Sequence, residues 1–419
     1  MKQILKSLLN RNFLIIFFLG ISSGLPLSLI LSTLKAMLVD LGVNIANIGL
    51  FSLIALPYNL KIIPAPIIDS KGVWLLTKLF GHRKSWLILM QSLLAIAILA
   101  LGIISPTGNL YLIFIITLII ASLSATQDIV IDAYRIELLS ANNQGVATGV
   151  YIYGYRIGML ISGALGLIIA EKYGWTLVFP AMSIIMILLI FITIIATDTR
   201  KNWVEKKYNF KNWIKEKVAK PFTEFLQREL AIKIIFFIIL FKLADAFAGN
   251  LTMPFLMDIG FTKTELAKIL KTFGLIALLI GVFCGGMIVK FVNIRNSLWI
   301  AIILQMLSNL AFCYLSKIGY DEGVLYRVVF IEYFCGGVGD AVFVAFLSQL
   351  CNKEFSATQY ALFSSLSSLS RSLISSVAGI FAIKLGWYNF FIFSSILALP
   401  SIYLMTKIFY QKKLKIALN

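Results

Sequence analysis

Apolar stretches of about 20 residues recur along the whole chain, the length a helix needs to cross the hydrocarbon core of a bilayer. Of 419 residues, 60% are hydrophobic and only 13% charged, and the mean hydropathy is +0.92. A soluble fold cannot cover that much apolar side chain with polar surface. The sequence therefore predicts an all-α, polytopic membrane protein. Spans fall near 13–34, 47–68, 86–104, 110–137, 145–170 and 176–197, then near 231–256, 264–289, 297–316, 324–350, 357–384 and 388–409. The one long connection, Asp198–Glu229, is charged and carries tryptophan. It divides the chain into a six-helix bundle (1–197), a linker (198–230) and a second six-helix bundle (231–419).

The net charge of +18 raises the question of a nucleic-acid partner, and its distribution answers it. Basic residues gather at Lys2, Lys6 and Arg11, at Lys71, Lys78, Arg83 and Lys84, from Arg200 to Arg228, at Lys290 and Arg295, and from Lys407 to Lys415. The intervening loops Ser105–Asn109, Glu171–Trp175 and Gly386–Tyr388 carry almost no charge. This alternation is the positive-inside pattern and places both termini in the cytoplasm. Nucleic-acid binding would need basic residues interleaved with aromatics on one folded face, which is not the pattern here. Cys284, Cys313, Cys335 and Cys351 form no pairing framework and read as small apolar fillers. The first apolar run, Phe13–Leu34, lacks a small-residue cleavage pattern and reads as a retained helix.

An internal repeat supports the two-bundle division. Asp128–Trp175 lies over Asp340–Trp387 at a constant offset of 212 without a gap, matching Asp128 with Asp340, Gly174 with Gly386 and Trp175 with Trp387. A second match joins LVDLG (Leu38–Gly42) to LMDIG (Leu256–Gly260), each after the first span of its half. Two parallel six-helix repeats with substrate at their interface are the major facilitator arrangement. Within the first copy, SATQDIVIDAYR (Ser124–Arg135) ends a helix that begins near Asn109. Asp128, Asp132 and Arg135 stand at i, i+4 and i+7 and share one face. Acids at such a place are costly in lipid and face a bundle interior or a water-filled path.

Several long stretches resemble one family closely. They are SGLPLSLILSTLKA (Ser23–Ala36), FSLIALPYNLKIIPAPIID (Phe51–Asp69), SATQDIVIDAYR, GYRIGMLISGA (Gly154–Ala164), FKLADAFAGNLTMPFL (Phe241–Leu256) and CNKEFSATQYALFSSL (Cys351–Leu366). Asp69 followed by Gly81, His82, Arg83 and Lys84 is similar to the acidic–glycine–basic loop signature of the major facilitators, split here by an insertion. Over nearly its whole length the chain resembles the AmpG muropeptide permeases of that superfamily. The resemblance implies proton-coupled import of N-acetylglucosaminyl-anhydro-N-acetylmuramyl sugars, with or without stem peptide, across a bacterial inner membrane. The chain departs from the family pattern at Asp340 and at Tyr333.

With that resemblance in view, Asp128, Asp340 and Glu332 are the candidate proton-coupling residues. Asp128 and Arg156 lie at a similar depth, Asp128 about 15 Å from its helix end, so the two are expected to pair. A ligand that drew Arg156 away would then move a proton at Asp128. Substrate-binding candidates are Arg156, Lys61, Gln127, Tyr155, Lys242, Asp245, Gln305, Asn309, Tyr333 and Gln359, since amides and aromatic faces suit sugar hydroxyl, acetamido and ring surfaces. Each also has a plain reading as a helix–helix hydrogen bond or a neutralised pair. Asp69, Arg83, Asp132 and Arg135 are expected to latch the cytoplasmic helix ends. By the repeat, Asp340 is expected to border the central cavity at the depth of Asp128 on the opposite bundle, making the pocket more acidic than in close relatives.

The expected partners are a small sugar or glycopeptide substrate, protons and membrane lipid, with no nucleic acid, the protein acting as a monomer. No cofactor or metal is expected, and no nucleophile constellation, P-loop or metal-ligand cluster suggests an enzyme. The nearest rival is a major facilitator of another substrate, such as a proton-coupled drug antiporter or an anionic-metabolite carrier.

Overall fold

The computed structural model describes residues 10–44, 51–104, 109–200, 203–205, 209–375 and 377–410. The terminal basic residues Lys2, Lys6 and Lys412 to Lys415, most of the Ser105–Asn109 loop and the start of the second expected span lie outside the described residues. Within them the secondary structure is helical, without strands. Nine helices among these residues are long and apolar enough to cross a membrane.

The helices begin and end where local chemistry dictates. Helix α1 (Arg11–Asp40) is apolar nearly throughout and passes through a widened turn at Leu29–Thr33, just after Pro26. The second expected span is broken instead. A turn at Phe51–Ala55, another at Leu56–Asn59 and the short α2 (Ala65–Ser70) replace a continuous helix. Pro57, Pro64 and Pro66 account for this, since each removes a backbone donor and clashes with the preceding turn. Short α3 (Trp74–Phe80) follows and ends at Gly81, whose φ of 86° suits a residue without Cβ.

Helix α4 (His82–Ile104) precedes α5 (Leu110–Leu138), which starts at the side-chain cap of Asn109 on the Tyr111 amide, 2.9 Å. At 29 residues, α5 is roughly 44 Å long, so its last turns outreach a hydrocarbon core of about 30 Å. Helices α6 (Gln144–Tyr173) and α7 (Trp175–Ile195) complete the first half, and α8 (210–226) lies in the linker. The seventh expected span is divided into α9 (Ala231–Phe241), α10 (Leu243–Gly249) and α11 (Thr252–Asp258). Then come α12 (Lys268–Val292), α13 (Ile294–Ile318), α14 (Glu322–Leu350), α15 (Ser356–Ser375), α16 (Ala378–Ile396) and α17 (Leu399–Tyr410). Gly386, at φ 69°, interrupts α16 where the last two expected spans meet.

The chain forms two units. Unit 1 comprises Met1–Leu139, Val150–Pro221 and Asn352–Leu362, and unit 2 comprises Ser140–Gly149, Phe222–Cys351 and Phe363–Asn419. In unit 1, α7 packs on α4 and α1, and α4 on α5. Helices α1 and α6 approach through glycines on both sides. A Cβ at Gly24 would overlap the Tyr155 carbonyl, and one at Gly158 the Ile21 carbonyl. Such small-residue contacts let helix backbones come close where lipid offers no hydrophobic drive. In unit 2, α14 packs on α12 and α13, and a phenylalanine cluster around Phe247, Phe255, Phe312, Phe390 and Phe391 fills one end.

The two sequence repeats converge on one contact in each unit. The Trp175 indole donates to Asp40 at 3.1 Å, and the Trp387 indole donates to Asp258 at 2.6 Å. Asp40 ends α1 and Asp258 ends α11, and the tryptophans follow Gly174 (φ 81°) and Gly386 (φ 69°). Matches that are weak singly in apolar sequence thus mark the same clasp, built twice.

Candidate functional site

In unit 1 the broken second span presents Lys61 at the middle of α5. Lys61 Nζ lies 2.7 Å from Asp128 Oδ2. Ser23 of α1 donates to Asp128 Oδ1 at 2.5 Å and lies 2.9 Å from the Tyr151 hydroxyl. Asp128 therefore pairs with Lys61, not with Arg156 as helix depth alone suggested. Depth fixes only the axial coordinate, whereas Lys61 arrives from an irregular segment whose direction the rise per residue does not give. Both side chains of the pair are largely buried, so Lys61 does not snorkel to a helix end.

Arg156 stands apart. Among the described residues its one polar contact is with the sulfur of Met159 at 3.9 Å, its buried Nε has no partner, and it makes no ion pair. Tyr155 lies within the electrostatic reach of both Asp128 and Arg156, and its ring is 6.1 Å from that of Tyr151. Gln127 turns away from this cluster and donates to the Ser22 carbonyl at 2.9 Å. Gln91 donates to the Ser22 hydroxyl and accepts from Thr193, so these amides join α1, α4, α5 and α7 as a packing network.

A charged lattice occupies another part of unit 1. Arg83 is completely buried and reaches Asp69 at 2.5 Å, Glu137 at 2.7 Å and the Ile68 carbonyl at 3.2 Å. Glu137 also accepts from Arg200 (2.8 Å), Thr199 (2.8 Å) and Ser356 (2.5 Å). Asp69 caps the first turn of α15, accepting from the Thr358 amide at 2.8 Å and its hydroxyl at 2.7 Å. A carboxylate there satisfies orphan donors and complements the helix dipole. Arg200 extends to the Lys353 and Glu354 carbonyls. Burial, with the like charge of Arg83, pulls its guanidinium below the ordinary arginine range.

The expected latch is thus only half of the lattice. Asp69 and Arg83 belong to it, whereas Asp132 and Arg135 bond each other at 3.4 Å. The Arg135 guanidinium lies 5.9 Å from the Tyr151 ring and 5.7 Å from that of Tyr360. Glu137 and Arg200, which sequence reasoning missed, complete it. Gln359, expected to bind substrate, instead clamps the start of α15, accepting from the Asn352 amide at 2.7 Å and donating to the Pro221 carbonyl at 3.0 Å.

Unit 2 holds a second polar cluster. Lys242, at the break between α9 and α10, lies 2.8 Å from Asp340 and 3.1 Å from Asp245. Asp340 is therefore paired rather than isolated, but one ammonium serves two carboxylates. Glu332 is a third acid within reach of Asp245, Lys242 and Ser308, with Oε2 buried and unpartnered. Gln305 lies against Gly339 with both ends of its amide unpartnered, and Asn309 donates to the Ala244 carbonyl at 3.4 Å. Tyr333 packs its ring on Gly274. The repeat-related acids Asp128 and Asp340 thus each meet a lysine, Lys61 in unit 1 and Lys242 in unit 2. No group of three or more metal-ligating side chains forms among the described residues.

A fold of membrane-length apolar helices, with the same tryptophan–aspartate clasp in each of its two units, defines a class, and comparison with known proteins identifies it. Residues 13–375 match the Major Facilitator Superfamily. The solved structures of the human organic anion transporter MFSD10 and of the proton:xylose symporter XylE share the fold, at TM-scores of 0.69 and 0.65. They are 15% and 13% identical to this chain, covering 94% and 99% of it and 99% and 100% of their own chains. Among sequence relatives, the Rickettsia conorii transporter AmpG 4 is 40% identical over 93% of this chain and 94% of its own. The Escherichia coli anhydromuropeptide permease is 37% identical over 93% of this chain and 78% of its own. The chain belongs to the AmpG family of the major facilitator superfamily, a family of multi-pass membrane transporters.

Proposed function

We propose that this protein imports anhydromuropeptides, with or without stem peptide, across a bacterial inner membrane, coupled to protons, with both termini in the cytoplasm. The name of the Escherichia coli relative supports the substrate class. The observation that carries the reading is the opposite charge surplus of the two clusters. In unit 1, Lys61–Asp128 and Arg135–Asp132 each match one cation to one acid, and Arg156 remains without an acid among the described residues. In unit 2, Lys242 faces Asp245 and Asp340, with Glu332 beside them.

An uncompensated cation in a low-dielectric setting favours an anion, such as the lactyl or stem-peptide carboxylates of a muropeptide. Crowded carboxylates favour a shared proton over two charges. Arg156 then receives the substrate, with Tyr155 offering a face to its sugar rings. Asp128, Asp340 and Glu332 take the protons. The lattice of Asp69, Arg83, Glu137 and Arg200 acts as the cytoplasmic gate, released when the segment 352–362 leaves it.

The test is uptake of radiolabelled N-acetylglucosaminyl-anhydro-N-acetylmuramic acid and its tripeptide form into right-side-out and inverted vesicles, with and without a proton gradient. Gradient-driven accumulation is expected for wild type and its loss, with insertion intact, for Asp128→Asn and Glu332→Gln. Variants that accumulate with wild-type gradient dependence would overturn the coupling roles. Wild-type vesicles that take up neither sugar would overturn the substrate.

A further inference from the structure

The insertion that splits the loop signature between Asp69 and Gly81 folds as α3, and its outward face is greasy. Trp74 is 91% exposed, Leu75 57% and Leu79 66%. With Lys78 they stand at i, i+1, i+4 and i+5, forming one stripe, while Leu76, Thr77 and Phe80 turn inward. Seven residues span about 10 Å, far too little to cross a bilayer. The helix is nevertheless joined through Gly81 directly to the membrane-crossing α4, which places it at the end of a span.

This is not a loose loop. The Thr77 hydroxyl accepts from the Val73 amide at 2.6 Å and lies 3.0 Å from Ser85. From the linker, Trp203 stacks on His82 with ring centroids 4.0 Å apart, and Glu205 pairs with Lys71 at 3.2 Å. Trp213 of α8 donates to Ser70 at 2.9 Å. The inner side of the insertion is thus fixed by protein, and its apolar side is held outward.

We propose that α3 is an in-plane anchor, seated among the anionic phospholipids of the leaflet at that end of the spans. Charge and chemistry select this occupant over water or a protein partner. No acid occurs between Asp69 and Asp128, while exposed Lys78 belongs to the helix and Lys71, exposed though paired with Glu205, flanks it. Basic residues at the membrane surface are drawn to anionic headgroups, and tryptophan favours the headgroup level. Trp74, Leu75 and Leu79 enter the boundary between headgroups and acyl chains, and the Lys78 ammonium reaches back to a phosphate. The proposal needs only the membrane-spanning fold and is independent of the substrate assigned above.

The experiment uses the full-length protein with its four cysteines replaced and a nitroxide on Leu79→Cys, in nanodiscs of phosphatidylcholine with or without one quarter phosphatidylglycerol. Power saturation compares access of oxygen and of the water-soluble nickel chelate NiEDDA. Exclusion of the chelate with high oxygen access is expected, deeper with phosphatidylglycerol, and the added depth is lost in Lys78→Glu. Chelate access equal to that of a label at Lys211 overturns the proposal, as does equal depth in both lipid mixtures. A label at Trp74→Cys repeats the test should the first site disturb folding.

Discussion

Replacing Glu137 by glutamine keeps the shape of the buried lattice and removes one of its two carboxylates. Glu137 receives Arg83 through Nε (3.1 Å) and Nη2 (2.7 Å), and Arg200 through Nε (3.0 Å) and Nη2 (2.8 Å). Breaking a buried ion pair from one side costs about 3–5 kcal/mol, because the partner charge is left uncompensated. Asp69 still faces Arg83, and Arg200 is 15% exposed, so the lower end applies, about 3 kcal/mol. Opening returns both guanidiniums to water and escapes that cost, which shifts the opening equilibrium by about two powers of ten. A cysteine at Ala357, which is fully buried in the closed lattice, reports opening through its rate of maleimide labelling. In an otherwise cysteine-free protein, Glu137→Gln is expected to raise that rate about 100-fold, given the shift just derived. Ser356→Ala removes only hydroxyl bonds to Glu137 and Arg83, and about tenfold or less is expected. Equal rates for wild type and Glu137→Gln, with both proteins folded, would refute the claim that this lattice holds residues 352–362.

Further outcomes follow from packing and from the paired clasps. Gly24→Ala places a methyl on the Tyr155 carbonyl and should destabilise by about 1–3 kcal/mol in thermal unfolding. Gly336→Ala meets nothing and should be neutral or stabilising by up to about 1 kcal/mol. Trp175→Phe and Trp387→Phe each remove an indole bond to a carboxylate and should cost about 1 kcal/mol apiece. Asp40→Asn should be nearly silent, since the amide oxygen still accepts and a negative charge is removed from the α1 C-terminus, where the dipole disfavours it.

What the sequence reveals about this molecule divides along a physical line. The start of α5 at Asn109 is legible because cap, first turn and apolar run are all local. The breaks in the second span are written in Pro57, Pro64 and Pro66, yet a 20-residue length criterion passes over them. The break at Lys242 has no proline to announce it. There a helix turn gives way beside a lysine shared by Asp245 and Asp340, the latter almost a hundred residues away, a contact no window of sequence contains.

The missed half of the lattice has a geometric cause. At about 100° per residue, the nine residues from Asp128 to Glu137 turn a helix through about 900°, which places Glu137 on the opposite face. The face rule that gathers Asp128, Asp132 and Arg135 therefore excludes Glu137 by construction. Arg200 escapes notice for a different reason, as one basic residue among many in a linker whose charge already served to orient the chain. Its role depends on lying where Glu137 and the carbonyls of Lys353 and Glu354 converge. Only the second cation turns the Asp69–Arg83 pair into a balanced lattice of two acids and two arginines. Losing any one member leaves a buried charge unmatched, and this is why Glu137, invisible to the face rule, is the residue whose replacement should open it.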